Sequence, residues 1–334
     1  MKEGILSVIG NTPIVELTRI FSPLHFRLFA KLEALNPGGS MKDRPALNIL
    51  MRAMEMGSIT KESVIIESSS GNMGIGLAQA CRYFGLRFIC VVDSKTTIQN
   101  IRLLEAYGTE VDIVAEPDTV TGEYLQARLD RVKELVSATP RAFWPNQYSN
   151  SENPAAHHKT MDEIVSALDW ELDYLFCATS TCGTLRGCSE YIRSHKLRTR
   201  LIAVDAVGSV IFSSQKAKRL VPGHGSAVEP PLFSPDLADD VVLVNDLDCV
   251  AGCRRLAHTE AILAGGSSGA VIIAIERIKE RIPCGATCVA ILADRGERYL
   301  DTIYSDAWVE EHFGDVSHQW KSKMEAPLCA MVAS

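Results

Sequence analysis

The sequence predicts an α/β protein built on mainly parallel sheets, and three observations predict it. Short apolar, β-branched runs alternate with segments of helical period along most of the chain. Runs such as Phe88-Ile-Cys-Val-Val92 are apolar throughout, as strands covered on both faces of a sheet must be. The third observation is a set of Ser- and Gly-rich turns leading from strands into helices, where backbone amides are left bare.

The elements follow in order. Strand 27–32 is stopped by Pro37, Gly38 and Gly39, and Ser40 stands as N-cap for helix 42–56. Strand 64–68 runs through Ser69-Ser-Gly71 into helix 72–84. Strand 88–92 precedes helix 98–107, strand 110–114 precedes helix 122–136, and helix 154–168 leads to strand 174–178. There Ser180-Thr-Cys-Gly-Thr184 turns the chain into helix 183–193. Strands 201–205 and 241–245 flank the longest irregular stretch, 207–235, rich in Gly, Ser and Pro. Loops that long are uncommon unless functional. Helix 246–259, the turn Ala264-Gly-Gly-Ser-Ser-Gly269, helix 268–279 and strand 287–292 complete the alternation. The polar tail 315–334 is expected to be poorly ordered.

A chain of 334 residues suffices for two domains, or for two lobes sharing a cleft. The net charge of −7 argues against nucleic acid or an anionic membrane as the main partner. Ten cysteines form no metal signature, because Cys249/Cys253 and Cys284/Cys288 lack grouped histidines to complete a zinc site. Free thiols in that number suit a reducing compartment. Residues 1–11 lack a signal-peptide pattern, and no apolar run approaches the ~20 residues of a membrane span. A cytoplasmic location is therefore expected. None of the eight histidines falls in a metal or nucleophile motif; His157 and His158 are adjacent and diverge on a helix.

Chemistry is carried by Asn36-Pro-Gly-Gly-Ser-Met-Lys-Asp-Arg44 and the three turns. The positive end of the helix dipole disfavours an ammonium at Lys42 and so favours the neutral amine that forms a Schiff base. Ser69, Ser70 and Gly71 suit a carboxylate, and Asn72 offers an amide to a phenolate oxygen; an ordinary strand–helix turn uses the same residues. Ser180 to Thr184 can cradle a phosphate without the lysine of a nucleotide-binding loop, which points to a small phosphorylated cofactor. Ser267 or Ser268 can present a hydroxyl to a heterocyclic nitrogen, or simply cap a helix.

Together "NPGGSMKDR", "SSSGNMG", "STCGT", "GGSSG" and "DRGERYL" resemble, in order, the motifs of the fold-type II pyridoxal-phosphate enzymes of the cysteine synthase and cystathionine β-synthase group. The resemblance implies two lobes, each with a mainly parallel twisted sheet flanked by helices. It implies a smaller mobile lobe at 37–145, a larger cofactor-binding lobe at 1–36 plus 146–314, and a homodimer. By resemblance Lys42 is the internal-aldimine lysine and Asn72 contacts the 3′-oxygen. Ser180, Thr181, Cys182, Gly183 and Thr184 hold the phosphate, and Ser267 faces the pyridine nitrogen. Ser69, Ser70, Gly71, Met73 and Gln147 correspond to the substrate-carboxylate loop and its glutamine partner.

A hydroxyl at the pyridine nitrogen suits β-elimination to an aminoacrylate followed by attack at Cβ. Ser69 and Met73 replace the threonines of "TSGNTG", and "RLVPGHGSAVEPP" replaces a "GPHKIQGIG"-like segment. These departures, with "FWPNQYSN" and "VDAVGSVIF", resemble the siderophore-pathway branch, in which O-phospho-L-serine is the electrophile and L-glutamate the nucleophile. The alternative within the family is a sulfur nucleophile. Tyr148 and Ser180 are then candidates for the second-substrate pocket, and Arg186, Arg295 and Arg298 are the arginines nearest the motifs.

Overall fold

The computed structural model describes residues 4–318 and Trp320. Among these, ten strands form two sheets. The larger sheet contains β1 (Ile14–Glu16), β2 (Arg27–Leu32), β7 (Tyr174–Ala178), β8 (Arg200–Ala206), β9 (Asp240–Val244) and β10 (Thr287–Leu292), in the order β1-β2-β10-β7-β8-β9. Only β1 runs antiparallel to its neighbour. The smaller sheet, order β5-β4-β3-β6, is wholly parallel and contains β3 (Val64–Ser68), β4 (Arg87–Asp93), β5 (Glu110–Val114) and β6 (Ala142–Phe143). Two sheets drawn from separate stretches of chain make two α/β lobes.

Helices cover both faces of each sheet, which is why the strands read as continuous apolar runs. In the smaller lobe Ile65, Phe88 and Cys90 pack with α1 (Asp43–Glu55), α2 (Asn72–Phe84) and Leu104 of α3 (Ile98–Ala106). On the reverse face Val64, Ile66, Ile89 and Val91 pack on Val132 of α4 (Tyr124–Ala138). In the larger lobe Leu175, Cys177, Ala203 and Val289 face α5 (Glu152–Ala167) and α6 (Gly183–Ser194). Phe176, Val204 and Ala290 face α7 (Asp246–Glu260) and α8 (Gly266–Ile278). The register alternates faces residue by residue, as a strand requires.

The α7–α8 crossing depends on two glycines. A Cβ on Gly252 would lie 2.1 Å from the Gly269 carbonyl oxygen, and one on Gly269 equally close to that of Cys249. Gly252→Ala must therefore push the helices apart. It is expected to lower stability by at least the ~1–3 kcal/mol of ordinary overpacking, read as a fall in the denaturant midpoint. An unchanged midpoint would contradict so close a crossing.

Several boundaries differ from expectation, each by a few residues. The helix expected at 42–56 begins at Asp43, with Lys42 in the cap position. Ser40 is not the N-cap; its Oγ instead accepts the Lys42 backbone N–H at 3.1 Å. The helix expected at 122–136 lies two residues later, and that at 154–168 begins at Glu152. Three elements were not expected: β1, β6 and α9 (Asp306–Phe313). Stretch 207–235 is irregular. Of the expected tail, Trp320 is buried beneath the Arg254 guanidinium, 4.4 Å from its ring centre. Residues 319 and 321–334 lie outside those described.

Candidate active site

Three of the chemistry-bearing segments follow the carboxyl ends of the parallel strands β2, β3 and β7, where open α/β sheets bind ligands. The fourth, 264–269, joins α7 to α8 and is bridged through Ala264 to Arg295 just beyond β10. The Gly38–Lys42 loop is laid along the end of β10. Met41 N–H donates to the Ala293 carbonyl (2.8 Å), Arg295 N–H to that of Gly39 (3.1 Å), and Ser40 forms a β-bridge with Asp294. Gly39 takes a left-handed φ of 88°, which permits this reversal. Lys42 is thereby placed at the lobe junction.

The residue as a whole is half-buried, its amine is desolvated, and the amine's pKa is lowered. Burial is the leading cause, opposed by the neighbouring Cys177, Asp294 and Cys182. The direction agrees with the sequence argument; the main cause is desolvation rather than the helix end. Burial therefore raises the share of nucleophilic free amine near neutral pH.

The first turn of α1 is held from below by a buried ion network. Arg44 makes a bidentate pair with Glu33 (2.7 Å each) and reaches both Glu163 oxygens (2.8 and 2.7 Å). Lys31, on β2, bonds Glu163 Oε2 and the Thr12 carbonyl, each at 2.7 Å. Two cations thus meet two carboxylates between β2, α1 and α5, two residues beyond Lys42.

The α2 turn is built on its own hydroxyls. Ser69 Oγ accepts Gly74 N–H (2.9 Å), and the Ser70 carbonyl accepts from Asn100 (2.9 Å). Nothing lies within 4 Å of a Cβ built on Gly71, so the turn opens onto free space. The Met73 side chain is buried in the smaller-lobe core, which leaves its backbone amide as what it presents at the helix start. Gln147 is buried, with Nε2 donating to the Ser68 carbonyl (3.2 Å) and its backbone N–H to Glu67 (3.1 Å). Asn72 donates to Asp294 Oδ2 (2.8 Å) and accepts from Arg298, which also reaches the Gly38 carbonyl. Tyr299 OH donates to the same Asp294 oxygen (2.6 Å).

At the α6 turn, Cys182 takes a left-handed φ of 64° and Gly183 opens the helix. A Cβ on Gly183 would fall 2.3 Å from Asn153 Oδ1, so only glycine fits. The Thr184 hydroxyl pairs with His157 Nε2 (3.1 Å), and Thr181 Oγ1 lies 3.4 Å from Asn153 Nδ2 and from the Gly183 amide. The threonine hydroxyls therefore brace the turn, leaving Ser180, half-buried, and the opening amides of α6 as the groups there that could receive an anion. At α8 the two serines separate: Ser268 Oγ accepts Ala293 N–H (2.9 Å), while Ser267 is half-exposed.

The three arginines nearest the motifs have structural partners. Arg186 Nε binds the Leu232 carbonyl (2.7 Å) and Arg295 Nε that of Ala34 (2.9 Å), while Arg298 joins Asn72 to Gly38. The sequence reading missed Arg128 on α4. It is buried against Asp93 at 3.3 Å, its Nε makes no hydrogen bond, and Glu67 and Tyr148 are its electrostatic neighbours. Tyr148 is half-buried, and burial raises its pKa. Among the described residues, no group of three or more His, Cys, Asp or Glu is placed to hold a metal, and no helix is long and apolar enough to cross a membrane.

These residues fit pyridoxal phosphate. A desolvated lysine stands at the junction, Asp294 Oδ1 beside it is buried without a hydrogen-bond partner, and α6 presents glycine-opened amides. The profile of the "Pyridoxal-phosphate dependent enzyme" family matches residues 5–294. The chain is 46% identical, over 92% of its length and 91% of the relative's, to an N-(2-amino-2-carboxyethyl)-L-glutamate synthase of Ralstonia nicotianae. Among solved structures it is similar to a hydrogen sulfide-producing enzyme from Fusobacterium nucleatum (TM-score 0.84, 33% identity, covering 90% of this chain and 100% of that one). It is also similar to an O-acetylserine dependent cystathionine β-synthase from Helicobacter pylori (TM-score 0.84, 31% identity, covering 90% and 98%). Geometry and likeness agree: this chain belongs to the pyridoxal-phosphate dependent enzymes, as a fold-type II transferase that carries out β-replacement on small amino acids.

Proposed function

We propose that the chain joins O-phospho-L-serine to L-glutamate, releasing phosphate and N-(2-amino-2-carboxyethyl)-L-glutamate as a siderophore precursor. The observation that carries this reading is the 46% identity to a synthase of that product over almost the whole chain. The buried Arg128 beside Tyr148 supports it, since an acceptor with two carboxylates needs a desolvated cation. Phosphate is also a better leaving group than hydroxide and carries about two negative charges near pH 7.

Pyridoxal phosphate supplies the electron sink that lets the α-proton and the β-substituent depart. Lys42 would hold the cofactor covalently and, once released, would take the α-proton and later return it. Ser180 and the amides of Thr181, Cys182, Gly183 and Thr184 would bind the cofactor's phosphate. Ser267 would meet the pyridine nitrogen, and Asn72, bonded to Asp294 in the protein alone, would hold the 3′-oxygen. Ser69 to Gly71, the Met73 amide and Gln147 orient the donor carboxylate, and the smaller lobe, 37–145, closes over it to exclude water. Ser180 and Tyr148 border the acceptor. The reading extends to a homodimer in the cytoplasm, consistent with the nine described cysteines being free thiols.

A sulfur nucleophile is the second reading, favoured by the likeness to the cystathionine β-synthase. Mass spectrometry of products from O-phosphoserine and a panel of glutamate, sulfide and homocysteine separates the two. The glutamate adduct should dominate by at least ~100-fold in kcat/KM, a discrimination of about 2.7 kcal/mol. Sulfide or homocysteine products in excess would overturn the first reading.

A further inference from the structure

Segment 180–184, at the opening of α6, carries no cation: it offers only hydroxyls, a thiol and backbone amides. A phosphate ester carries about two negative charges near pH 7. Neutral dipoles hold such a charge well only if they are aligned before it arrives. What aligns them lies underneath, on α5.

Farther along, the α5 face toward α6 is apolar, with Met161 and Ile164 packed among Leu185 and Cys188. At the end beneath the turn it becomes polar. Asn153, His157 and Thr160, at i, i+4 and i+7, share one side of the helix, and each is at most 1% exposed. Polar groups on a buried packing face are costly unless they are bonded. Here the bonds lead to the turn. Thr160 Oγ1 lies 3.3 Å from His157 Nδ1, and His157 Nε2 lies 3.1 Å from Thr184 Oγ1. Asn153 Nδ2 donates to the Gln147 carbonyl at 2.7 Å and lies 3.4 Å from Thr181 Oγ1. The helices also meet at Gly187, where a Cβ would lie 2.2 Å from the Pro154 carbonyl oxygen and 2.9 Å from His157 Cβ.

The ring is kept neutral. Burial first, then the charges of Lys42, Arg44 and His158, push the imidazole well below its ordinary value. A neutral imidazole has one donor and one acceptor nitrogen, so it bonds its two threonines in opposite senses. The chain Thr160–His157–Thr184 therefore has a fixed direction, and it ends on the second residue of α6.

We propose that His157 is a positioning residue for the cofactor's phosphate: anchored by Thr160, it fixes Thr184 and so holds the opening amides of α6 on the anion. The inference rests on reading segment 180–184 as the phosphate site. Asn153 braces Thr181 from the same helix face. His157 acts through Thr184 and does not itself touch the phosphate.

The test uses the full-length protein as wild type, His157→Leu, Thr184→Val, the double variant and Thr160→Val. Each is freed of cofactor and titrated with pyridoxal phosphate and with pyridoxal, which lacks the phosphate; the holoenzymes are compared by phosphorus NMR. His157→Leu and Thr184→Val should each weaken pyridoxal phosphate binding ~10-fold, as loss of a buried hydrogen bond and of its alignment requires. Pyridoxal binding should change by less than about twofold, because pyridoxal makes no use of the turn. The double variant should bind within about threefold of the weaker single variant, since His157 has nothing to act through once the hydroxyl is gone. Thr160→Val, close in shape and remote from the anion, should weaken phosphate-dependent binding ~3-fold and move the phosphorus resonance. It decides the matter if His157→Leu does not fold. Equal losses for pyridoxal phosphate and pyridoxal would overturn the proposal, as would wild-type affinity in His157→Leu or Thr160→Val, or losses that multiply in the double variant. The phosphate-site reading fails separately if Ser180→Ala and Thr184→Val both bind pyridoxal phosphate as the wild type does.

Discussion

Lys42→Ala is expected to abolish turnover while leaving the fold intact. The loss should exceed ~10⁴-fold, the upper range for a positioned acid–base group, because Lys42 serves both as covalent anchor and as proton carrier. Folding should survive because the amine contributes nothing to the core. The turn bearing it is held by backbone bonds from Met41 to Ala293 and from Arg295 to Gly39. Steady-state kinetics and circular dichroism check both halves. Residual activity above about 1% would contradict the role given to this amine.

The second large effect falls on stability. Glu163→Gln removes one of two carboxylates from a buried group that holds Lys31, 1% exposed, and Arg44, 4% exposed. Breaking a buried pair from one side costs about 3–5 kcal/mol, because the remaining charge is left uncompensated. The pH dependence has a definite sign. Burial alone would raise the Glu163 carboxyl, but hydrogen bonds and charge from Arg44 and Lys31 lower it to about 2, against 4.5 unperturbed. A folded pKa below the unfolded one gives stability that is complete above pH 4.5 and lost as pH falls through about 2. Wild type should therefore lose stability across that window. Glu163→Gln should begin lower and lose less there, as urea unfolding at stepped pH would show. A variant with the wild-type midpoint at pH 7 would remove the network from the account.

Eight strands were legible as short apolar or β-branched runs between helical segments; β3, β4, β7, β8 and β10 are buried almost throughout, whereas β5 is only half-buried. The elements missed are those with too little pattern. β1 has three residues and β6 two, too short to show a period, and their pairing is decided by neighbours already in place. Lys42 stood out because its motif is local. The ion network did not, since Lys31, Glu33, Arg44 and Glu163 come from three separate stretches of chain and Lys31 reads as an outward strand residue. Arg128 is of the same kind: an arginine in mid-helix carries no signal until folding buries it against Asp93.

Two of the hydroxyl groups named from the sequence have protein partners for a common reason. Ser268 and Thr184 were as well placed in sequence as Ser267 and Ser180, but a buried hydroxyl must find a partner. Ser268 takes Ala293 and Thr184 takes His157. Which of two adjacent serines is taken up by the protein and which is left half-exposed is thus decided by helix phase, not by residue type.

The most direct test is to reduce the holoenzyme with borohydride and map its peptides by mass spectrometry. A pyridoxyl group should be found on Lys42, in the peptide containing Asn36-Pro-Gly-Gly-Ser-Met-Lys-Asp-Arg44. A label on another lysine, or none on a protein saturated with cofactor, would contradict it.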